Sequence, residues 1–142
     1  MTAMNAKPLP RITAVNRPFF EACNRDELRL QRCLAPDCRR FSYFPRVCCP
    51  HCQAGELEWQ PVSGRGRIVS FAVVRRPQHH SFFDEAPYYF AAVQLDEGPL
   101  LYSRLAQKPH LQDEDALIGA PVRAQFVDQG NGQKLPYFSV VD

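Results

Sequence analysis

Five of the six cysteines in this 142-residue chain are concentrated between Cys33 and Cys52. Their spacing is C-x4-C for Cys33 and Cys38, and C-x2-C for Cys49 and Cys52. Two such pairs joined by a short loop aim four sulfurs at one point, and four thiolates form the tetrahedral set of a structural Zn²⁺ site. The spacing therefore predicts a zinc site with Cys33, Cys38, Cys49 and Cys52 as ligands.

The second cysteine pair is ambiguous because Cys48 and Cys49 are adjacent. The usual two-residue gap to Cys52 favours Cys49, which leaves the role of Cys48 open. His51 lies inside the same turn and is expected to be exposed rather than a ligand. A redox pair and buried apolar cysteines are the alternatives to a metal site. A redox pair is expected near a βαβ unit, a pattern that this sequence lacks.

Composition and charge narrow the class of protein. Hydrophobic residues make up 45% of the chain, enough for a globular core, and the formal net charge is only +2. No apolar run approaches the roughly 18 residues of a membrane span. Residues Met1–Arg11 lack the apolar core of a signal peptide. We therefore expect a soluble cytoplasmic protein, where thiols stay reduced and cysteine clusters bind metal.

The chain divides into four predicted segments. Residues 1–17 are expected to form a flexible tail, and residues 18–30 an amphipathic helix that begins at Pro18 and contains Cys23 as a core residue. That helix packs either on its own domain or on a partner. Residues 31–58 are predicted to form a two-stranded zinc ribbon, and Gly55–Pro61 a connector that holds Trp59. Residues 59–142 are predicted to form a barrel.

The barrel segment contains five short alternating runs, with one helical turn predicted over Asp113–Ile118 between the third and fourth. In the first run, Val69, Phe71 and Val73 are expected on one face. This order is typical of a five-stranded OB-fold barrel, although a small β-sandwich also fits it. The predicted strands are Arg67–Arg75, Tyr88–Leu95, Leu100–Leu105, Pro121–Val127 and Tyr137–Val141.

An ordered set of short motifs resembles one known family. They include Cys49-Pro50-His51-Cys52, Ser63-Gly64-Arg65-Gly66, Val93-Gln94-Leu95-Asp96-Glu97-Gly98 and Ile118-Gly119-Ala120-Pro121-Val122. Between about Pro18 and Tyr137 the chain is similar to the acyl-CoA-associated "domain of unknown function 35" proteins, in which a rubredoxin-like zinc ribbon precedes an OB fold. The chain departs from the family pattern in the four-residue gap of its first cysteine pair and in the single proline of Phe44-Pro45-Arg46.

The resemblance implies a non-catalytic accessory subunit of a thiolase-like enzyme, meaning a thiolase, a hydroxymethylglutaryl-CoA synthase or a steroid side-chain aldolase. Such a subunit assists the binding or transfer of an acyl-CoA thioester. Arginine binds phosphate through two parallel hydrogen bonds, so Arg46, Arg65 and Arg67 are candidate ligands for the CoA phosphates. These arginines fit an acidic partner equally well, or ordinary solvated side chains.

Two other functions compete with the accessory subunit. Zinc ribbons and OB folds also bind nucleic acid, although the small net charge argues against this alternative. A stand-alone enzyme acting on small thioesters would depend on His79 or His80, which lie in a long loop. A homo-oligomer through the helix face and this loop is a further hypothesis.

Overall fold

A computed structural model describes residues 7–53, 55–109 and 114–141 of the chain. The elements are α1 (Arg17–Asn24), β1 (Arg29–Cys33), β2 (Phe41–Ser42), β3 (Leu57–Pro61), β4 (Arg65–Val74), β5 (Tyr88–Leu95), β6 (Leu100–Arg104), β7 (Pro121–Asp128) and β8 (Lys134–Val140), with 3₁₀ helices at His80–Glu85 and Glu114–Ala116. The strands form a three-stranded sheet of order β2-β1-β3 and a five-stranded sheet of order β6-β5-β4-β7-β8. The predicted mainly β class is confirmed.

The five-stranded sheet is nearly closed into a barrel. Its two outer strands meet where Leu105 forms a parallel bridge with Phe138, and the Ala106 N–H donates to the Phe138 carbonyl at 2.8 Å. This closure is the OB fold and not an open sandwich. The last strand begins at Lys134, three residues before the predicted start. The predicted helical turn is the 3₁₀ helix at Glu114–Ala116, and Asp113 lies outside the described residues.

A bulge in β4 overturns one expectation about the barrel face. The pairing of β4 with β5 shifts register between Ile68 and Ser70. Ile68 is 1% exposed and Val69 is 49% exposed, while Phe71 packs against the core. The prediction that Val69 shares a face with Phe71 is therefore wrong, because the extra residue of a bulge reverses the alternation of side chains. Nearby, a Cβ on Gly66 would lie 2.4 Å from a backbone oxygen of β5, so only glycine fits there.

The N-terminal helix is shorter than the sequence predicted. It ends at Asn24, and Asp26 adopts a left-handed backbone conformation with φ of 61°. A helix cannot continue through this conformation, so the chain turns and Leu30 enters β1. The prediction of a helix over residues 18–30 is thus wrong beyond Asn24.

The helix packs on its own barrel. Phe19 and Cys23 are buried in the core cluster, and the Lys134 N–H at the start of β8 donates to Asn24 Oδ1 at 2.8 Å. Burial raises the pKa of the Cys23 thiol to about 12, so this cysteine is a protonated core residue, as predicted. Within the residues described, no helix has the length and apolar content needed to cross a membrane.

Candidate metal centre

The cysteine cluster is built on a three-stranded sheet. β1 lies at its centre and places Cys33 opposite Leu57 on β3, while Trp59 pairs with Gln31. The sequence predicted two strands here and a connector holding Trp59, and both expectations are wrong because β3 returns to pair along the whole of β1. The sheet extends past residues 31–58 on both sides, and the division of the chain into segments at those positions stays a prediction.

The structure brings together the four cysteines predicted as ligands. The Sγ atoms of Cys33 and Cys52 lie 3.5 Å apart, and those of Cys38 and Cys49 lie 3.7 Å apart. All four sulfurs are within 4.8 Å of one another. A tetrahedron with Zn–S bonds of about 2.3 Å has sulfur separations of about 3.8 Å, so the arrangement fits a zinc ion. The donor set, four thiols without oxygen ligands, suits a soft tetrahedral metal ion such as zinc.

Both pairs of cysteines sit on tight turns that end in a left-handed residue. In the first turn, the Cys38 N–H donates to the Ala35 carbonyl at 3.0 Å, and Arg39 follows with φ of 58°. In the second, Gln53 has φ of 65° and donates its N–H to the Cys49 carbonyl at 2.8 Å. One hydrogen-bonded turn therefore accommodates the four residues between Cys33 and Cys38. Both sulfurs lie in the cluster although this gap is wider than the family pattern.

Local hydrogen bonds prepare one of these thiols for metal binding. Burial raises the pKa of Cys49, but hydrogen bonds from the backbone N–H groups of Cys52 and His51 and from the thiols of Cys38 and Cys52 outweigh it and lower the pKa to about 7. The His51 N–H lies 3.3 Å from Cys49 Sγ. A thiolate is the form that binds zinc, so this environment favours the ligand state near neutral pH.

Cys48 and His51 lie next to the cluster but do not join it. Cys48 is exposed and is not among the four sulfurs. The His51 ring is exposed, with Nδ1 3.3 Å from Arg40 Nη1. The structure thus places the sulfur of Cys49, and not that of Cys48, in the cluster, and the assignment of the four cysteines as ligands stays a prediction.

We expect Cys48→Ser to bind zinc as tightly as the wild-type chain and to unfold at the same temperature. The side chain is exposed and outside the tetrahedron, and such surface changes alter stability by about 0.5 kcal/mol or less. Zinc quantification by mass spectrometry and a thermal unfolding curve on one sample provide the check. Loss of zinc from this variant would mean that Cys48 is a ligand and that the assignment of Cys49 is wrong.

The structure does not gather Arg46, Arg65 and Arg67 around one cavity. Arg65 and Arg67 line a cavity of about 290 Å³ together with Arg123, and Arg67 Nη1 donates to the Gly119 carbonyl at 2.9 Å. Arg46 lines a separate, larger cavity beside the ribbon, together with three other arginines. The excess of five arginines over one aspartate within residues 29–52 was the only sequence feature that pointed to this second group.

The loop histidines have structural partners. His79 precedes a 3₁₀ helix and accepts the Ser81 N–H at its Nδ1, 3.2 Å away. His79 also stacks on His80 with ring centroids 4.5 Å apart. Glu85, at the other end of this helix, pairs with Arg104 on the barrel. The histidine contacts lie within the loop, and the Glu85–Arg104 pair joins the loop to the barrel.

The chain is similar to proteins of one family along most of its length. A family profile for the C-terminal OB-fold domain of ChsH2 matches residues 59–127. A DUF35 domain-containing scaffold protein of Methanothermobacter thermautotrophicus is 38% identical over 122 residues, which cover 82% of this chain and 90% of the relative. A probable enoyl-CoA hydratase alpha subunit of Thermomonospora curvata is 34% identical over 134 residues, which cover 93% of this chain. The chain spans 39% of the length of that relative.

Two solved structures resemble the chain. The Ltp2-ChsH2(DUF35) aldolase contains a chain that superposes with a TM-score of 0.78 at 32% identity, covering 93% of this chain and 98% of that chain. A DUF35 protein of unknown function from Sulfolobus solfataricus superposes with a TM-score of 0.58 at 14% identity, covering 90% of this chain and 86% of that one. The second likeness is one of fold alone. The first extends over the ribbon as well as the barrel, because it covers nearly all of both chains.

Proposed function

We propose that this chain, which belongs to the DUF35 family, is a non-catalytic zinc-binding scaffold subunit that associates with a thiolase-like enzyme and assists the binding or transfer of acyl-CoA. The single observation that carries the proposal is the likeness to the DUF35 chain of the Ltp2-ChsH2 aldolase, at 32% identity over 98% of that chain. Because the likeness covers nearly the whole of that chain, this chain has the same helices and strands with which to contact an enzyme partner.

The metal has a structural part in this function. Cys33, Cys38, Cys49 and Cys52 would hold a Zn²⁺ ion, which crosslinks the two turns of the ribbon when bound. A four-thiolate site is closed to substrate, because catalytic zinc sites keep one position for water. The donor set therefore supports a scaffold role for the ribbon and not a reaction at the metal.

The relatives support a scaffold over an enzyme. The Methanothermobacter relative is named a scaffold protein, and the chain covers 90% of it. The relative named as an enoyl-CoA hydratase alpha subunit is longer, and the chain covers only 39% of it. The part shared with this chain is thus also the part found in proteins named as scaffolds.

Acyl-CoA contact is assigned to the small cavity of the barrel. Arg65 and Arg67 lie on β4 and line this cavity with Arg123 on β7. The phosphates of CoA carry several negative charges, and arginine is suited to bind them through paired N–H groups. Arg67 already donates one N–H to Gly119, so its guanidinium is held in place while other donors stay available.

Co-purification tests the proposed association. The tagged chain would be expressed in the cells from which it comes, captured at moderate salt, and its eluate identified by mass spectrometry beside a tag-only control. We expect a thiolase-like enzyme in amounts near those of the chain. An eluate with no acyl-CoA enzyme would contradict the proposal, and single-stranded nucleic acid in its place would favour the nucleic-acid-binding alternative.

A further inference from the structure

A groove between the ribbon and the barrel concentrates positive charge. It has a volume of about 780 Å³, and its other wall is the turn between β5 and β6. We call it the ribbon groove. Its ribbon wall contains Arg32, Arg39, Arg40 and Arg46, which come from β1 and from the loops on either side of β2.

The arginines of the ribbon groove lack carboxylate partners. None of the four forms an ion pair with a residue that the structure describes, whereas Arg104 on the barrel pairs with Glu85. Glu97 lines the groove, but its carboxylate accepts the Ser63 N–H at 2.7 Å. Four arginines therefore share the groove with one carboxylate, so the described lining keeps a net positive charge.

Two of these arginines are held in place without being neutralised. Arg32 donates from Nε to the Arg39 carbonyl at 2.8 Å, and its guanidinium lies 5.0 Å from the centre of the Phe41 ring. The Arg46 backbone exchanges two hydrogen bonds with the Gln31 side chain, at 2.7 and 2.8 Å. Arginines whose backbone or stem is fixed lose less conformational freedom when they bind an anion.

A buried hydroxyl in the groove also lacks a partner. Ser42 on β2 is 4% exposed, and its Oγ has no hydrogen-bond partner among the described residues. Buried polar groups in native proteins are nearly always hydrogen-bonded. A buried hydroxyl without a partner, beside arginines without carboxylate partners, indicates that the groove is completed by a polar ligand.

Large apolar side chains beside the groove distinguish between possible ligands. Phe44 is 53% exposed and Val47 is 76% exposed, and each directly follows a residue of the groove in the chain. A simple phosphate anion needs cations alone and makes no contact with exposed phenyl and isopropyl groups. Arginine together with exposed apolar anchors is instead typical of protein interfaces.

We propose that the ribbon groove binds an acidic segment of the partner enzyme, with Asp or Glu side chains on Arg40 and Arg46 and an apolar side chain against Phe44 and Val47. The inference rests on the proposed function, since it needs a protein partner. It deepens that function by placing the partner's acidic segment on the ribbon, apart from the barrel cavity assigned to CoA. Because surface ion pairs are screened, the association should weaken as salt rises.

Charge reversal in the groove tests the inference. Arg40→Glu with Arg46→Glu changes the net charge as much as a control, Arg11→Glu with Arg17→Glu, at exposed positions outside the groove. We expect the groove variant to bind the co-purified enzyme at least about tenfold more weakly, with zinc content unchanged, and the control to bind as the wild type does. If the wild type captures no enzyme, the proposed function fails. If the wild type and the groove variant bind equally, only the groove assignment is overturned.

A photo-crosslinking residue at Val47 gives a second test that does not depend on the folding of the charge-reversed chain. In the complex with the identified enzyme, we expect it to join to a peptide with Asp or Glu within a few residues of the crosslink. A neutral or basic peptide, or no crosslink to the enzyme, would overturn the inference.

Titration of the wild-type chain with pyrophosphate tests whether the groove binds a phosphate-bearing ligand instead. Pyrophosphate binding that Arg40→Glu with Arg46→Glu abolishes, while enzyme affinity is kept, would reassign the groove to a phosphate-bearing ligand.

Discussion

A Cys49→Ser chain is expected to purify almost free of zinc, with an unfolded ribbon on a folded barrel. Cys49 is fully buried, and its Sγ lies 3.7 Å from that of Cys38. A serine hydroxyl stays protonated at neutral pH and cannot replace the thiolate that completes the tetrahedron. Apparent binding free energies of structural zinc sites reach about 10–16 kcal/mol, so losing one ligand removes much of what holds so small a ribbon together.

Unfolding in this variant should be confined to the cysteine turns of the ribbon and should not spread into the barrel. Leu28 and Leu30, just before and within β1, are 4% and 1% exposed and belong to the same core cluster as the barrel. They keep β1 attached when the turns open. Hydrogen exchange should therefore become fast over residues 34–56 and stay slow in β4 and β5, while the wild type with zinc protects both regions. Cys48→Ser, one residue away, is the matched control.

A Cys49→Ser chain that holds about one zinc with unchanged exchange in the ribbon would contradict the ligand assignment. Unfolding of the whole chain would support the metal site but contradict the independence of the barrel core. The two readouts, zinc content and exchange by segment, separate these outcomes.

Phe138→Ala should have the largest effect on the barrel. Phe138 is fully buried at the closing seam, where it bridges to Leu105 and lies opposite Ala124 on β7. Truncation of a buried phenylalanine to alanine costs about 3–5 kcal/mol, through lost apolar contact and the cavity left behind. That is a large fraction of the roughly 5–15 kcal/mol by which domains are stable. Urea unfolding of the zinc-loaded protein, monitored by circular dichroism, measures the loss of unfolding free energy that Phe138→Ala causes.

The matched control for this change is Phe83→Ala. Phe83 is 57% exposed in the 3₁₀ helix at His80–Glu85, so the same truncation there should cost less than about 1 kcal/mol. Equal losses for the two variants would mean that the seam at Phe138 is not the closing contact of the barrel.

The cysteine cluster could be predicted from the sequence because the two ligands of each pair are only a few residues apart. Each pair of ligands lies on one short turn, and the spacing alone limits where the sulfurs point. The left-handed conformations of Arg39 and Gln53 could not be predicted, since neither residue is a glycine or an asparagine. Both are consequences of closing the turns around one point.

The errors in the fold arose where distant residues decide the outcome. The sequence predicts a connector at Trp59 because the residue that pairs with it on β1 is far away in the sequence, and pairing across that distance leaves no local pattern. Leu30 continued the helical stripe of Phe19 and Cys23, yet the turn at Asp26 carries it into a strand that packs on the same core. Leu30 is therefore a core residue, as its apolar side chain predicts, but it lies in a strand and not in the helix.

The candidate CoA-binding arginines also show that the sequence does not reveal which distant residues lie together. The sequence groups Arg46 with Arg65 and Arg67 because all three are arginines suited to bind phosphate. Only the packing of the ribbon against the β5–β6 turn separates them into two sites, and it brings Arg46 beside Arg32. Charge counts identify a basic segment, but they do not say which side chains share a cavity.

The proposed scaffold role is tested most directly by measuring acyl-CoA turnover by the co-purified enzyme alone, by this chain alone, and by the two recombined. We expect no turnover by the chain alone and higher turnover by the recombined pair than by the enzyme alone, with the gain lost when Cys49→Ser replaces the wild-type chain. Turnover by the isolated chain, particularly turnover lost on changing His79 or His80, would show that it is an enzyme. Equal activity of the enzyme with and without the chain would contradict an assisting role in acyl-CoA chemistry.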